Sequence, residues 1–137
     1  MDAKNREVLE RALEDVWNLG KEEMIERYYH RDYVGHFSPP ESLIGHEGVR
    51  RGLLEIREAF PDFYEECHDL IGEGDKIVAR ITLSGTQRAP FLGNPSSGKR
   101  FEIATLDIYR FLDNKIIEQW GVMDVMTMAS QLGWPAR

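Results

Sequence analysis

The apolar positions change period near the middle of the chain. Up to Phe60 they recur every three or four residues; from Phe63 onward they mostly alternate. Val8, Leu9, Ala12, Leu13, Val16 and Trp17 form one helical stripe, and Gly20 is placed to end that helix. Met24, Ile25, Tyr28 and Tyr29 mark a second, short helix. The chain through His36 reads as a loop, with Pro39-Pro40 as a breaker. Val49, Leu53, Ile56 and Phe60 share a face of a third helix, which Pro61-Asp62 stops.

The second half reads as four strands. Phe63 to Gly72 is followed by a turn at Glu73-Gly74-Asp75. Lys76 to Arg88 sets Ile77, Ala79, Ile81 and Leu83 against Val78, Arg80, Thr82 and Ser84. A Pro/Ser/Gly loop spans Gly93 to Lys99. Phe101 to Leu112 turns at Asp113-Asn114-Lys115 into Ile116 to Met123. Strands joined in sequence by tight turns pair antiparallel. Helices first and a meander afterward predict an α+β fold in one domain, residues 1–137. A curved sheet closed by helices leaves a concave apolar pocket.

Composition narrows the partners. A net charge of -7 over 137 residues, with basic residues only in small groups, argues against nucleic acid or an acidic membrane surface. No apolar run reaches membrane-spanning length, and the chain opens on a charged amphipathic stretch rather than a signal peptide. Cys67 is the single cysteine, so no intrachain disulfide forms. A cytoplasmic domain is expected.

Asp124 is the leading chemical candidate. It lies in Gly-Val-Met-Asp-Val-Met-Thr-Met, and apolar surroundings raise a carboxyl's pKa toward the range of proton transfer. It also precedes a helical stripe of Val125, Met128, Ala129 and Leu132 ending at Gly133, so it reads equally as an N-cap. Thr105, Asp107 and Tyr109 share one strand face; Glu118, Trp120, Val122 and Asp124 share another unless a bulge intervenes. If Asp107 and Asp124 face one pocket, their like charges split the two pKa values into an acid and a base. Asp107 reads alternatively as an outward polar residue or an ion-pair partner.

Other candidates are weaker. Arg80 is either an anion or carbonyl clamp or part of a solvated face. His36 lines a pocket mouth or is structural, and Phe60, Tyr109 and Trp120 are pocket wall or plain core. His30, His36, His46 and His68 form no metal-ligand spacing, so no metal site is expected. There is no phosphate-binding glycine loop and no nucleophile elbow. Cys67 lacks an activating neighbour other than His68, which alternation puts on the opposite face.

Taken in order, several segments resemble the SnoaL-like polyketide cyclases of the NTF2-like superfamily. They are Gly45-His46-Glu47-Gly48-Val49, Ala59-Phe60-Pro61-Asp62-Phe63, Gly72-Glu73-Gly74-Asp75-Lys76 and Gly85-Thr86-Gln87 with Phe91-Leu92-Gly93-Asn94-Pro95. Asp107-Ile108-Tyr109-Arg110-Phe111, Lys115-Ile116-Ile117-Glu118-Gln119-Trp120, Asp124 and Gln131-Leu132-Gly133 complete the set. The resemblance implies a cone-shaped, cystatin-like barrel with helices closing one end around a pocket. It implies cofactor-free, metal-free acid/base chemistry: aldol-type ring closure or enolisation of a small hydrophobic carbonyl compound. It implies catalysis by Asp124 with Asp107, and substrate contacts from His36, Phe60, Arg80, Tyr109 and Trp120. Asp107 stands where the prototype cyclase carries histidine, and Gln87 where many relatives do. Association through the sheet into a homodimer or larger oligomer is expected. Two other readings remain open here, a non-catalytic ligand-binding or dimerisation module and a ketosteroid-isomerase-like isomerase.

Overall fold

A computed structural model describes residues 1–37 and 42–135. The Pro39-Pro40 breaker lies outside the described residues. Helix α1 spans Ala3–Arg11 and runs on as a π-helical segment, Ala12–Asn18. Gly20, with φ +70°, ends it. A 3-10 turn at Glu22–Met24 leads into α2, Ile25–Tyr28. Strand β1 is Tyr29–Phe37, β2 is Leu43–Ile44, and α3 is Gly45–Ala59. The meander follows as β3 Tyr64–Glu73, β4 Lys76–Thr86, β5 Arg100–Leu112 and β6 Lys115–Gly121. Helix α4, Val125–Leu132, is closed by Gly133 in the left-handed conformation, which glycine adopts without steric cost.

The α+β class and the helix-backed pocket hold, with two corrections. The expected loop through His36 is strand β1, and it pairs parallel with β6. The sheet therefore has six strands in the order β2-β1-β6-β5-β4-β3, curved but not closed into a barrel. A parallel partner so distant in sequence leaves no local turn signal. The inward row of β5 is Phe101, Ile103, Thr105, Asp107, Tyr109 and Phe111, and that of β4 is Ile77, Ala79, Ile81 and Leu83. Helix α1, its π-helical continuation and α3 cover this face with Leu9, Leu13, Val49 and Leu53, all buried.

Two devices fix the helices near the pocket. The Arg57 guanidinium donates to the carbonyls of Trp17 and Asn18, at 2.9 and 3.1 Å, which the end of the π-helical segment leaves without helical partners. The Asn18 side chain takes the N–H of Glu65 (2.7 Å) and donates to its carbonyl (3.0 Å). Asn18 thus stands in for a neighbouring strand beside β3, at the sheet's open edge. In the loop after β4, the buried Gln87 donates to the carbonyls of Ala89 and Asn94 and accepts from the indole of Trp134. Its role there is to hold the loop.

Candidate functional site

The inward face of the sheet and α3 enclose a cavity of about 120 Å³. Phe37, Leu43, Ile56, Phe63 and Leu83 supply much of its apolar wall. Two roomier hollows, about 390 and 520 Å³, lie among exposed lysine, arginine and glutamate side chains. Of these three, the smaller cavity sets a few polar groups in a mostly apolar wall, the usual character of a small-molecule site.

Asp107 is buried in that wall. Thr105 Oγ1 donates to its Oδ1 at 2.7 Å, and Gln119 Nε2 donates to its Oδ2 at 2.8 Å. Burial raises the Asp107 pKa; these two hydrogen bonds hold it down, and the net effect is upward. Gly121 completes the niche, because a Cβ there would lie 2.6 Å from Asp107 Oδ2. Tyr109, two residues along on the same face, lines the cavity with its phenol pKa pushed well above normal, chiefly by burial.

Glu65 of β3 is the second cavity carboxyl, and the sequence did not point to it. Its side chain is partly buried and opens to the cavity, its carboxyl oxygens included, with protein packed around the rest of it. Burial, with the charge of Asp107 added, pushes its pKa up to about 8. The cavity is narrow and mostly apolar, and no protein donor offsets the hydration that the carboxyl loses there. Among the described residues its carboxyl has no hydrogen bond or ion pair. The two carboxyls thus differ. Asp107 has two donors that support its ionised form against the upward push of burial, while Glu65 has none and its pKa is pushed up to about 8.

The structure reassigns the other candidates. Asp124 is fully exposed: its Oδ1 accepts the N–H of Thr127 (3.1 Å) and its Oδ2 the Thr127 hydroxyl (2.7 Å). Those bonds, the hydroxyl's first, hold its pKa below the usual carboxylate range. It caps α4 and does not share the cavity with Asp107. The expected Asp107–Asp124 pair is replaced by Asp107–Glu65.

His36 and Trp120 stand on the outer sheet face, stacked on each other with ring centroids 5.5 Å apart. His36 also bonds Glu118 at 2.8 Å. The reason is a bulge: Phe111 pairs with Ile116 but Arg110 pairs with Glu118, so Ile117 is an extra residue in β6. One inserted residue reverses every later side chain, turning Gln119 and Gly121 inward and Glu118 and Trp120 outward. Arg80 is likewise outside, paired with Asp69 at 2.6 Å. Phe60 is fully buried one layer behind the cavity, packed edge-to-face on Phe91 and Phe101. Of the residues named from the sequence, Asp107 and Tyr109 are the ones in the cavity wall.

A family model for the SnoaL-like polyketide cyclases matches residues 7–132. The chain belongs to that family. It is 26% identical over 135 residues to aklanonic acid methyl ester cyclase DnrD of Streptomyces peucetius, covering 93% of this chain and 91% of that one. TsrD of Streptomyces laurentii superposes with a TM-score of 0.86 at 32% identity, over 97% of this chain and 98% of its own. IdmH of Streptomyces antibioticus gives 0.81 at 27%, over 94% and 98%. No described helix is long and apolar enough to cross a membrane. No group of three or more His, Cys, Asp or Glu among the described residues is placed to hold a metal ion.

Proposed function

We propose that this chain is a cyclase-type enzyme working by acid/base catalysis on a small hydrophobic carbonyl compound, with no cofactor. The observation that carries this is the unequal carboxyl pair in one apolar cavity. Asp107 takes a proton from the carbon alpha to a carbonyl, and the C–H electron pair becomes an enolate. The enolate carbon attacks a second carbonyl of the same molecule, forming the ring C–C bond as that C=O π pair moves onto oxygen. The neutral Glu65 carboxyl protonates this alkoxide, and return of the proton from Asp107 to Glu65 resets the pair. Protons taken and given balance. Tyr109 lines the same cavity as a protonated phenol, a donor for the developing oxyanion.

The cavity is smaller than the roughly 300–1,000 Å³ typical of sites that engulf a ligand. It suits the reacting end of a larger polyketide, with the remainder passing Arg51 and Glu55, exposed residues that line its mouth. Aklanonic acid methyl ester, the compound in the relatives' name, is the first substrate to try. Ring-closed product from the wild type, lost in Asp107→Asn and cut at least tenfold in Glu65→Gln, supports the proposal. Full turnover in Asp107→Asn refutes it.

We further propose a homodimer through the outer sheet face. Ile71, Val78, Ile108 and Trp120 are register partners in turn across four strands and make an apolar row there. Ile71 is 69% exposed and Ile108 39%. Sedimentation should show a dimer that Ile108→Lys converts to monomer; a monomeric wild type removes the idea.

A further inference from the structure

We propose that Tyr33 is a positioning residue for the cavity carboxylate: its hydroxyl holds the Gln119 amide so that Nε2, and not Oε1, faces Asp107. The inference rests on the reading of Asp107 as the base. Tyr33 OH donates to Gln119 Oε1 at 2.8 Å, and Gln119 Nε2 donates to Asp107 Oδ2 at 2.8 Å. All three side chains are buried. A primary amide has a donor end and an acceptor end, exchanged by a half-turn. On the surface water serves either orientation. Among the described residues the far end meets Tyr33, whose hydroxyl hydrogen has no other acceptor there, so the phenol donates to Oε1 and leaves Nε2 for the carboxylate.

The phenol is a dependable donor. Burial, with the neighbouring Tyr29, Asp107 and Glu65 adding to it, raises its pKa well above normal, so it keeps its proton. Its ring is fixed edge-on against Tyr29, centroids 5.0 Å apart at 88°, and Tyr29 OH accepts the Trp17 indole N–H at 2.8 Å. The backbone makes room for the same line of atoms. Gly35 is the register partner of Gln119, and a Cβ on it would overlap the Tyr33 hydroxyl and the Phe37 ring. Gly121 does the same for Asp107. Glycine weakens a strand interior, and these two sit where the Tyr33–Gln119–Asp107 chain would otherwise be blocked.

A fixed amide favours the ionised carboxylate. With Asp107 charged, both ends of Gln119 are satisfied; with Asp107 protonated, its own hydrogen has no use for an amide N–H. Removing the phenol O–H leaves Oε1 without a donor and lets the amide turn. Other groups face Asp107 too: Glu65 from β3, Tyr29 from β1, Tyr109 on its own strand, and Arg51 and Glu55 of α3 across the cavity. All of them remain in Tyr33→Phe.

The test is a carboxyl 13C titration of Asp107 by NMR in the wild type, Tyr33→Phe, Gln119→Met and the double variant. Tyr33→Phe should raise the Asp107 midpoint by about half a pH unit or more, the scale of one neutral hydrogen bond. Gln119→Met should raise it at least as far, and the double variant should add nothing. An unmoved midpoint in Tyr33→Phe, or a Tyr33→Phe effect that persists with Met at 119, overturns the proposal. Neutron diffraction of the wild type is the check that needs no variant. Deuterons on the Gln119 atom facing Asp107 support the assignment, and their absence there overturns it. Shifted midpoints with no carbonyl turnover leave the positioning standing and remove the base. Turnover lost in Asp107→Asn with midpoints unmoved by Tyr33→Phe removes the positioning alone.

Discussion

Replacing Glu65 by glutamine should stabilise the protein, and only above pH 4.5. Glutamine keeps the size and polarity of the side chain and cannot ionise. The Glu65 carboxyl moves from its ordinary 4.5 to about 8 in the folded protein. A folded pKa above the unfolded one means the native state holds the extra proton between those two values. Wild-type stability therefore falls as pH rises through the window from 4.5 to about 8. The slope from this one group approaches about 1.4 kcal/mol per pH unit, and the ceiling over the window is about 5 kcal/mol. Urea unfolding of the wild type and Glu65→Gln at pH 4.5, 6, 7 and 8.5 reads it directly. The curves should nearly meet at pH 4.5 and separate by about 3 kcal/mol at pH 7. Groups unaffected by the substitution titrate in both proteins and cancel in the difference. A difference that stays flat across this range would refute the reasoning, because Glu65 would then ionise in the cavity at no cost.

Substitutions at three other positions probe the remaining assignments. Gly121→Ala drives a methyl against Asp107 Oδ2, so it should lower stability by about 1–3 kcal/mol by urea unfolding and cut turnover more than tenfold. Asp124→Asn should keep turnover and melting temperature, whereas Asp124→Ala should lower the melting temperature by a few degrees with kcat unchanged, as loss of a cap requires. Arg80→Gln, on the outer face beside Asp69, should leave kcat/KM within about twofold; a larger loss would return Arg80 to the site.

What the sequence reveals depends on how local the physics is. The long alternating strands β4 and β5 and the stripes of α1 and α3 are read correctly because each period is contained within its own segment. The Asp124 cap is legible for the same reason: Thr127 lies three residues on and Gly133 closes the helix. Strand β1 is not, because its burial follows no clean alternation and its ladder to β6 shifts register between Tyr29 and Val34. The bulge at Ile117 carries no mark in the sequence and reverses the face of everything after it, so simple alternation turns Trp120 inward and Gln119 outward, the opposite of their positions. Glu65 sits beside Glu66 in a strand rich in acids. Nothing local separates a buried acid from an exposed one there. The signal available was that Phe63 and Glu65 fall on one strand face, a weak cue with a strand edge so near.

The most direct test of the unequal carboxyl pair is a carboxyl 13C titration of Glu65 in the wild type and in Asp107→Asn. Glu65 should titrate with a midpoint near 8 in the wild type and a lower one once the Asp107 charge is gone. A Glu65 midpoint in the ordinary carboxylate range, unmoved by Asp107→Asn, would contradict it.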